Sequence, residues 1–514
     1  MKNWLVNLFK TYFVGYFPYV VVFLASLYNS ADSDLGWHLK YGEYFFKNFS
    51  ILRENIFSTE MAGYRWVNSS WATDILSYIT FNWMGFMGLT ILGGLVVTAI
   101  FFFFAKAAKL SFWEKAFIFP LILYLEEPLT VVSFRGHLLS LLAISILYYL
   151  FKLFEEGNKK SLFLIPLLFM LWSNFHGEFI LGLGLLLGFI VFYIIRVFLL
   201  SSRAKSRDLL TRSSSHLREI PLRQLADRND KCVSLVKVFI GSFLATLVNP
   251  FFISTYIESL RHFGNPFQKY IIEWLPFDTK SSLWWTFIVW GIVILLSLII
   301  LKIKKQLVSN LPYVGLLLIL YGFSFWMRRY AWPMYFISIP VVVHFFRLLT
   351  PRDKKITYFL PSLTFILFYF FVTFIKFPSQ RFQTMNWERY CKQYVNCSPE
   401  SAEFLKKQKL KGDLLSFYNW GGFLIWNYPE IKPSIDGRMH LWRDEKGYSA
   451  FADYYPLEQN WKEVDKSKYD IVYMPPFKPI HKQMMKLVEE KKWKIVYQDE
   501  YATIFVRSGK KVTS

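Results

Sequence analysis

Cysteine is scarce in this chain: 514 residues contain three, Cys232, Cys391 and Cys397. So low a count excludes a small fold stapled by disulfides. Cys391 and Cys397 are close enough in sequence to pair in an oxidising compartment, and would stay as thiols in a reducing one. Acidic residues are also few, 37 against 59 Lys and Arg, for a formal charge of +22. Such an excess can mark a nucleic-acid binder, but no basic module interleaved with aromatic residues is present, so no nucleic-acid partner is expected. No internal repeat of fixed period occurs. The first apolar run, Tyr12 to Asn29, has no small-residue cleavage site behind it and is expected to stay as a membrane helix.

What fills the chain is apolar and aromatic. Hydrophobic residues make up 54% and aromatic ones 20%, with a mean hydropathy of +0.28, the composition of an integral membrane protein. A helix crossing the hydrocarbon needs about 20 apolar residues. Eleven runs are candidates, near 12–29, 86–105, 115–126, 136–152, 161–175, 178–199, 236–254, 283–303, 311–327, 331–347 and 356–376, the third short enough to be a partial crossing. Basic clusters punctuate them at Lys2 and Lys10, Lys106 to Lys115, Lys152 to Lys160, Lys302 to Lys305 and Arg347 to Lys355. The stretch 201–237 carries nine Lys or Arg against four acids; 201–235 reads as a basic cytoplasmic loop, in which 203–231 has little apolar periodicity and is expected to be flexible. With eleven spans and a cytoplasmic N-terminus, every cluster falls on the cytoplasmic side, as the positive-inside rule asks.

The expected fold is a polytopic α-helical membrane protein over residues 1–376, with a first outer loop at 30–85. Residues 377–514 turn mixed and polar. There "DLLSF", "YDIVYM", "WKIVY" and "ATIFVR" alternate with helical stretches, the pattern of a small α/β domain, which an odd number of spans places outside the cell membrane.

The same topology sends to the outer face Asp32, Asp34, His38 and Glu43; Glu126 and Glu127; Arg135 and His137; Asn174, His176 and Glu178; Glu273 and Asp278; and Arg328 and Arg329. Acids and histidines thus gather opposite the lysines, which points to a reaction centre on that face. In "SADSDLGWHLKYGEYF", Asp32 and Asp34 could converge on a cation or serve as a general base and its neighbour. The plainer reading is an Asx turn followed by an amphipathic helix in the headgroup layer. In "SFRGHLLSLL", Arg135 could hold a phosphate bidentately or merely snorkel. "WSNFHGEF" puts Asn174, His176 and Glu178 in a sharp turn, which could equally satisfy itself. Arg328 and Arg329 in "FWMRRYAWP" could bind lipid headgroups or close over a phosphate leaving group. "YNWGGFLIWNYPEIKPSIDGRMHLW" fits neither the P-loop nor the dinucleotide pattern and is expected to pack the C-terminal domain.

Taken in order, "DSDLGWHLKYGE", "VNSSWATDILSY", "SFRGHLLSLL", "LWSNFHGEFILG", "VNPF", "IIEWLPFD" and "WGGFLIW...SIDGR" resemble prokaryotic membrane proteins similar to the GT-C glycosyltransferase superfamily, over nearly the whole chain. The resemblance implies transfer of a sugar from a donor on polyprenyl phosphate or pyrophosphate to a glycan, lipid or protein acceptor. It makes Asp34 or Asp32 the base or a metal ligand and Arg135 or Arg328 the stabiliser of the departing phosphate; the placement of His38, His137, His176, Glu178 and Arg329 on the same face makes them further substrate-binding candidates. Where the family pattern has a His-Glu pair before Trp71, this chain has Ser69 and Ser70; where it has Pro-Gln after the arginine, Gly136 and His137 stand. The first change removes two candidate ligands for a divalent cation. Two rivals remain: a transporter or flippase of lipid-linked glycans, which calls for charges deep within helices, and a non-catalytic assembly protein, for which Asp34 would tolerate change.

Overall fold

The computed structural model describes residues 15–126, 128, 133–210, 222–262, 266–349, 363, 366 and 384–509. The expected span at 356–376, the boundary at 377, Glu127 and the middle of the basic connection lie outside them.

The apolar runs fold as helices. After α1 (Gly15–Ala25) comes the amphipathic α2 (Leu35–Asn48), which buries Leu35, Trp37, Leu39 and Tyr41 on one face. α3 (Trp71–Ala108) breaks at Gly85, where φ is 59°. α4 (Phe112–Leu125) opens on a capping box, with the Ser111 hydroxyl accepting from the Glu114 amide and the Glu114 carboxylate from the Ser111 amide. α5 (Gly136–Glu155), α6 (Ser161–Phe175), α7 (Phe179–Leu210), α8 (Leu222–Thr246), α9 (Ser254–His262), α10 (Ser282–Ile303), α11 (Leu311–Trp326) and α12 (Ala331–Leu349) follow. Among the described residues, four helical stretches are long and apolar enough to cross a membrane: α3, α5, residues 179–200 of α7, and α10. α1, α6 and α11 are apolar but shorter. α3 packs on α5, α6 on α8, and α11 on α7 and α12, through aromatic contacts such as Phe104 on Phe336 at 5.0 Å and Phe151 on Phe189 at 3.9 Å.

Four helix ends differ from expectation. The run at 12–29 stops being helical at Ala25, because the polar Ser26, Asn29 and Ser30 begin the turn into Asp32. The run at 236–254 stops at Thr246, since the Asn249 side chain accepts from the Phe251 amide at 2.8 Å around Pro250, an Asx turn that breaks the helix. The stretch 203–231, expected to be flexible, instead continues α7 to Leu210 and begins α8 at Leu222. Its Arg, Lys, Leu and Ala are strong helix formers.

In the C-terminal part, α13 (Trp387–Tyr390) runs into one π-helical turn, Cys391–Val395. α14 (Pro399–Gln408), α15 (Gly421–Asn427), α16 (Ala450–Glu458) and α17 (Pro479–Glu489) accompany a four-stranded sheet of order β1-β2-β4-β3. The strands are β1 (Leu414–Ser416), β2 (Ile471–Met474), β3 (Trp493–Gln498) and β4 (Thr503–Arg507), where the sequence patterns put them. β1 pairs parallel to β2, with Leu415 opposite Val472, and β4 runs antiparallel to β2 and β3. The β3–β4 hairpin is closed by Asp499, whose carboxylate accepts from the amides of Tyr501 and Ala502 at 2.8 Å each.

Cys391 and Cys397 form a disulfide with Cα atoms 5.0 Å apart, both side chains buried, and Cys232 is free. A closed loop this short contributes about 2 kcal/mol. Replacing both cysteines with serine is expected to cost that amount, read as a lower melting temperature that reductant no longer shifts.

Candidate active site

Asp32 and Asp34 leave the end of α1 with different tasks. One Asp32 oxygen accepts from the Asp34 amide at 3.1 Å, so the Asx turn read from the sequence is present. The other receives Arg135 Nε at 3.0 Å, and Arg135 Nη1 continues to Glu273 at 3.2 Å. Tyr390 donates its hydroxyl to the Asp32 carbonyl. Asp34 stands at the N-cap of α2, yet its carboxylate caps no helix amide, and the residue is half-buried. Burial, then the Asp32 carboxylate beside it, push the Asp34 carboxyl up to about 6. Against burial, Arg135 followed by His137 and Arg329 holds Glu273 down at about 2. The site therefore carries one carboxyl raised toward neutrality near another, Glu273, that stays ionised.

The wall facing Asp34 comes from about 400 residues away. A Cβ on Gly437 would collide with the Asp34 carboxylate, and one on Gly36 with the Gly422 carbonyl, so glycine lets α15 and the "SIDGR" loop press onto the acidic turn. Tyr418 donates to the Gly437 carbonyl at 3.0 Å, and His440 Nδ1 lies 2.7 Å from the same oxygen. On either side of Gly437, Asp436 and Arg438 form a buried ion pair at 2.7 Å. Ser58 donates to Asp436 at 2.7 Å, and Arg438 Nη2 donates to Asn55 at 2.9 Å and to Ser58 at 3.0 Å. The guanidinium sits 4.7 Å from the Trp66 ring and 5.1 Å from those of Phe57 and Trp442. This clip ties the first long loop to the C-terminal unit.

His38 turns to Asp74: Nδ1 lies 2.5 Å from one carboxylate oxygen, while Asn68 donates to the other at 2.6 Å. Burial works against its charged form, but Asp74, with Asp32 and Asp34 behind it, raises the imidazole above its ordinary value. Glu43, expected beside the aspartates, faces elsewhere on α2 and binds Lys40 and Lys47, because nine residues of helix carry it away from the Asp34 end.

A second cluster adjoins the first through Glu273, whose carboxylate lies 3.6 Å from His137 Nε2. Glu178 accepts from Arg329 Nε at 2.6 Å, and Arg329 Nη2 lies 2.5 Å from His137 Nδ1. His176 Nδ1 meets the Ser140 hydroxyl at 2.8 Å and Glu178 at 3.4 Å. Burial opposes ionisation of Glu178, yet Arg329 and then His137 hold it well below the usual carboxylate range. A narrow cavity opens beside this cluster, lined by His137, Glu178, Arg329 and Trp332. Ligand atoms of His137, His176 and Glu178 come within 4.8 Å of one another, close enough in principle for a metal ion. Arg329 already occupies the inner positions of Glu178 and His137, however, and Arg135 those of Asp32. The donor set fits a divalent cation poorly, and no chemical step is routed through one.

The structure thus joins Asp32, Asp34, Arg135, His137, His176, Glu178 and Arg329 through Glu273. It separates the two adjacent arginines. Arg329 is committed to Glu178, whereas the Arg328 guanidinium makes no ion pair among the described residues, and burial lowers its pKa. Asn174 is a structural turn residue that accepts from Trp71 at 3.0 Å and donates to the Val248 carbonyl at 2.8 Å. Sequence reasoning missed the roles of Glu273, Asp74, Tyr390, Gly437 and the Asp436–Arg438 clip. "WATD" and "SIDGR" were visible as segments, but nothing local links them to Asp34.

No protein-family model and no curated protein matches the chain. Solved structures do. The chain superposes on the apo crystal structure of the Archaeoglobus fulgidus oligosaccharyltransferase with a TM-score of 0.53 and 11% identity, covering 90% of this chain and 70% of that one. It also superposes on the archaeal oligosaccharyltransferase AglB from A. fulgidus, in complex with an inhibitory peptide and a dolichol-phosphate, with a TM-score of 0.54 and 12% identity, covering 98% and 75%. At such identity the likeness is one of fold: the chain shares the fold of the archaeal oligosaccharyltransferase.

Proposed function

We propose that the protein is a GT-C-type glycosyltransferase that moves a sugar from a polyprenyl-phosphate-linked donor to an acceptor on the outer face of the cell membrane. One observation carries this reading: Asp34 is half-open, caps nothing, titrates near 6 and is held between a paired-arginine network and the Gly437 loop. In this reading the acceptor nucleophile loses its proton to Asp34 as it attacks the anomeric carbon. The bond from that carbon to the donor's phosphate oxygen breaks, and the departing phosphate meets guanidinium charge from Arg328 or Arg135. Asp32 is occupied by Arg135, which favours Asp34 as the base. His38, His137, His176, Glu178 and Arg329 would shape the donor's headgroup pocket, its lipid following the apolar side of the cavity at Leu141, Ile144 and Trp332. The domain division at 376/377, eleven spans, a cytoplasmic N-terminus and an outer C-terminal domain complete the proposal. The concentration of polar groups at helix ends speaks against a transporter.

Labelled polyprenyl-phosphate sugars supplied to reconstituted vesicles test the reaction. Arg328→Gln is expected to lower transfer about 100-fold, the cost of losing one preorganised charge at a developing anion, with the melting temperature unchanged. A variant as active as wild type would remove Arg328 from the leaving-group role.

A further inference from the structure

Away from Asp34, α2 and the C-terminal unit enclose a separate cleft of about 250 Å³, walled by Lys40, Glu43 and Lys47 on one side and Ile425 and Lys432 on the other. Spacings of three and four residues put the three α2 side chains on one face. Lys40 and Lys47 both bind Glu43 at 2.7 Å. Lys432 adds a third ammonium with no ion pair among the described residues, leaving a surplus of two positive charges. At a rise of about 1.5 Å per residue, Lys40 and Lys47 stand roughly 9 and 20 Å along the helix from Asp34. The cleft is therefore not the acidic centre under another name.

Its chemistry is that of a phosphate site with an apolar margin. Ammonium groups bind phosphate as point charges, and the volume lies just below the roughly 300 to 1,000 Å³ of drug-sized pockets, enough for a headgroup. The surroundings argue for a lipid as the source. Phe46 and Phe49 at the end of α2 are 39% and 82% exposed, and Trp83 on the neighbouring α3 is 85% exposed. Exposed aromatic rings beside lysines are the composition of a membrane interface. We infer that this cleft binds the phosphate of an anionic phospholipid headgroup, distinct from any lipid carrying a sugar, and so seats α2 and the C-terminal unit on the membrane surface. The inference does not depend on the transfer reaction.

The full-length protein in detergent, titrated with phosphatidylglycerol and followed by native mass spectrometry, tests it. The combined Lys40→Gln, Lys47→Gln and Lys432→Gln variant is expected to bind one phosphatidylglycerol about tenfold or more weakly. Glu43→Gln, which frees two lysines and needs no loss of fold to be read, is expected to bind it several-fold more tightly. Equal affinity in wild type and both variants would overturn the site. Displacement of the lipid by inorganic phosphate at equal concentration would overturn the lipid as its ligand.

Discussion

Asp34→Asn is expected to fold as wild type and to lower glycosyl transfer by about 10²- to 10⁴-fold, the usual worth of a positioned general base. The substitution keeps the shape that rests on Gly437 and removes only the charge. The pH dependence gives an independent check. A base works when ionised, so with the Asp34 carboxyl near 6, wild-type kcat/KM should be flat above about pH 7 and fall tenfold per unit below 6. Glu273 and Glu178 are held low by their arginines and stay charged throughout, so they add no inflection there. A profile without a break near 6, or an Asp34→Asn protein as active as wild type, would send the search for the base to Asp32. A matching loss in Asp32→Asn with a lowered melting temperature would instead show the cost of releasing Arg135 from its partner.

Arg438→Met should produce the largest stability effect in the molecule. Asp436 would be left buried without its guanidinium, and breaking a buried pair from one side costs about 3 to 5 kcal/mol. Asn55 and Ser58 would also lose a donor. Thermal unfolding should show the drop, limited proteolysis should cut the first long loop sooner, and transfer should fall because Gly437 no longer holds its place beside Asp34. A second variant separates charge from packing. Combining Arg438→Met with Asp436→Leu removes both charges, and apolar replacement of a whole buried pair is often neutral or stabilising. Recovered stability with poor transfer would identify the clip as a positioning device. Stability unchanged in Arg438→Met alone would mean that the C-terminal unit is held chiefly by its aromatic contacts.

Much of this protein was legible in its sequence because the signals are local. Apolar runs place helices such as 161–175 and 282–303 within a residue or so, and β-branched and aromatic clusters mark β2, β3 and β4, with an apolar Leu pair marking β1. The D-x-D turn and the Asn174 to Glu178 turn are also read directly, since each depends on neighbours a few residues away. Even the disulfide was open as a possibility from spacing alone.

What the sequence could not decide is which of these polar residues are spent on one another. Arg328 and Arg329 look identical in the chain, but the turn after α11 points Arg329 into Glu178 and His137, whereas Arg328 makes no ion pair among the described residues and feels Glu273 only at longer range. Asp32 and Asp34 look equivalent, yet among the described residues it is Asp32 that Arg135 pairs with at 3.0 Å. Glu43 sits in the same acidic stretch but lies about two and a half helical turns from Asp34, among lysines. The Asp436–Gly437–Arg438 loop closes over Asp34 across about 400 residues of chain, because close packing at Gly36, Gly422 and Gly437 lets two backbones meet. Charge, spacing and hydropathy thus determined the elements and the stock of reactive groups. Tertiary packing assigned each group its partner, its burial and hence its chemistry, since those depend on distances that no local pattern encodes.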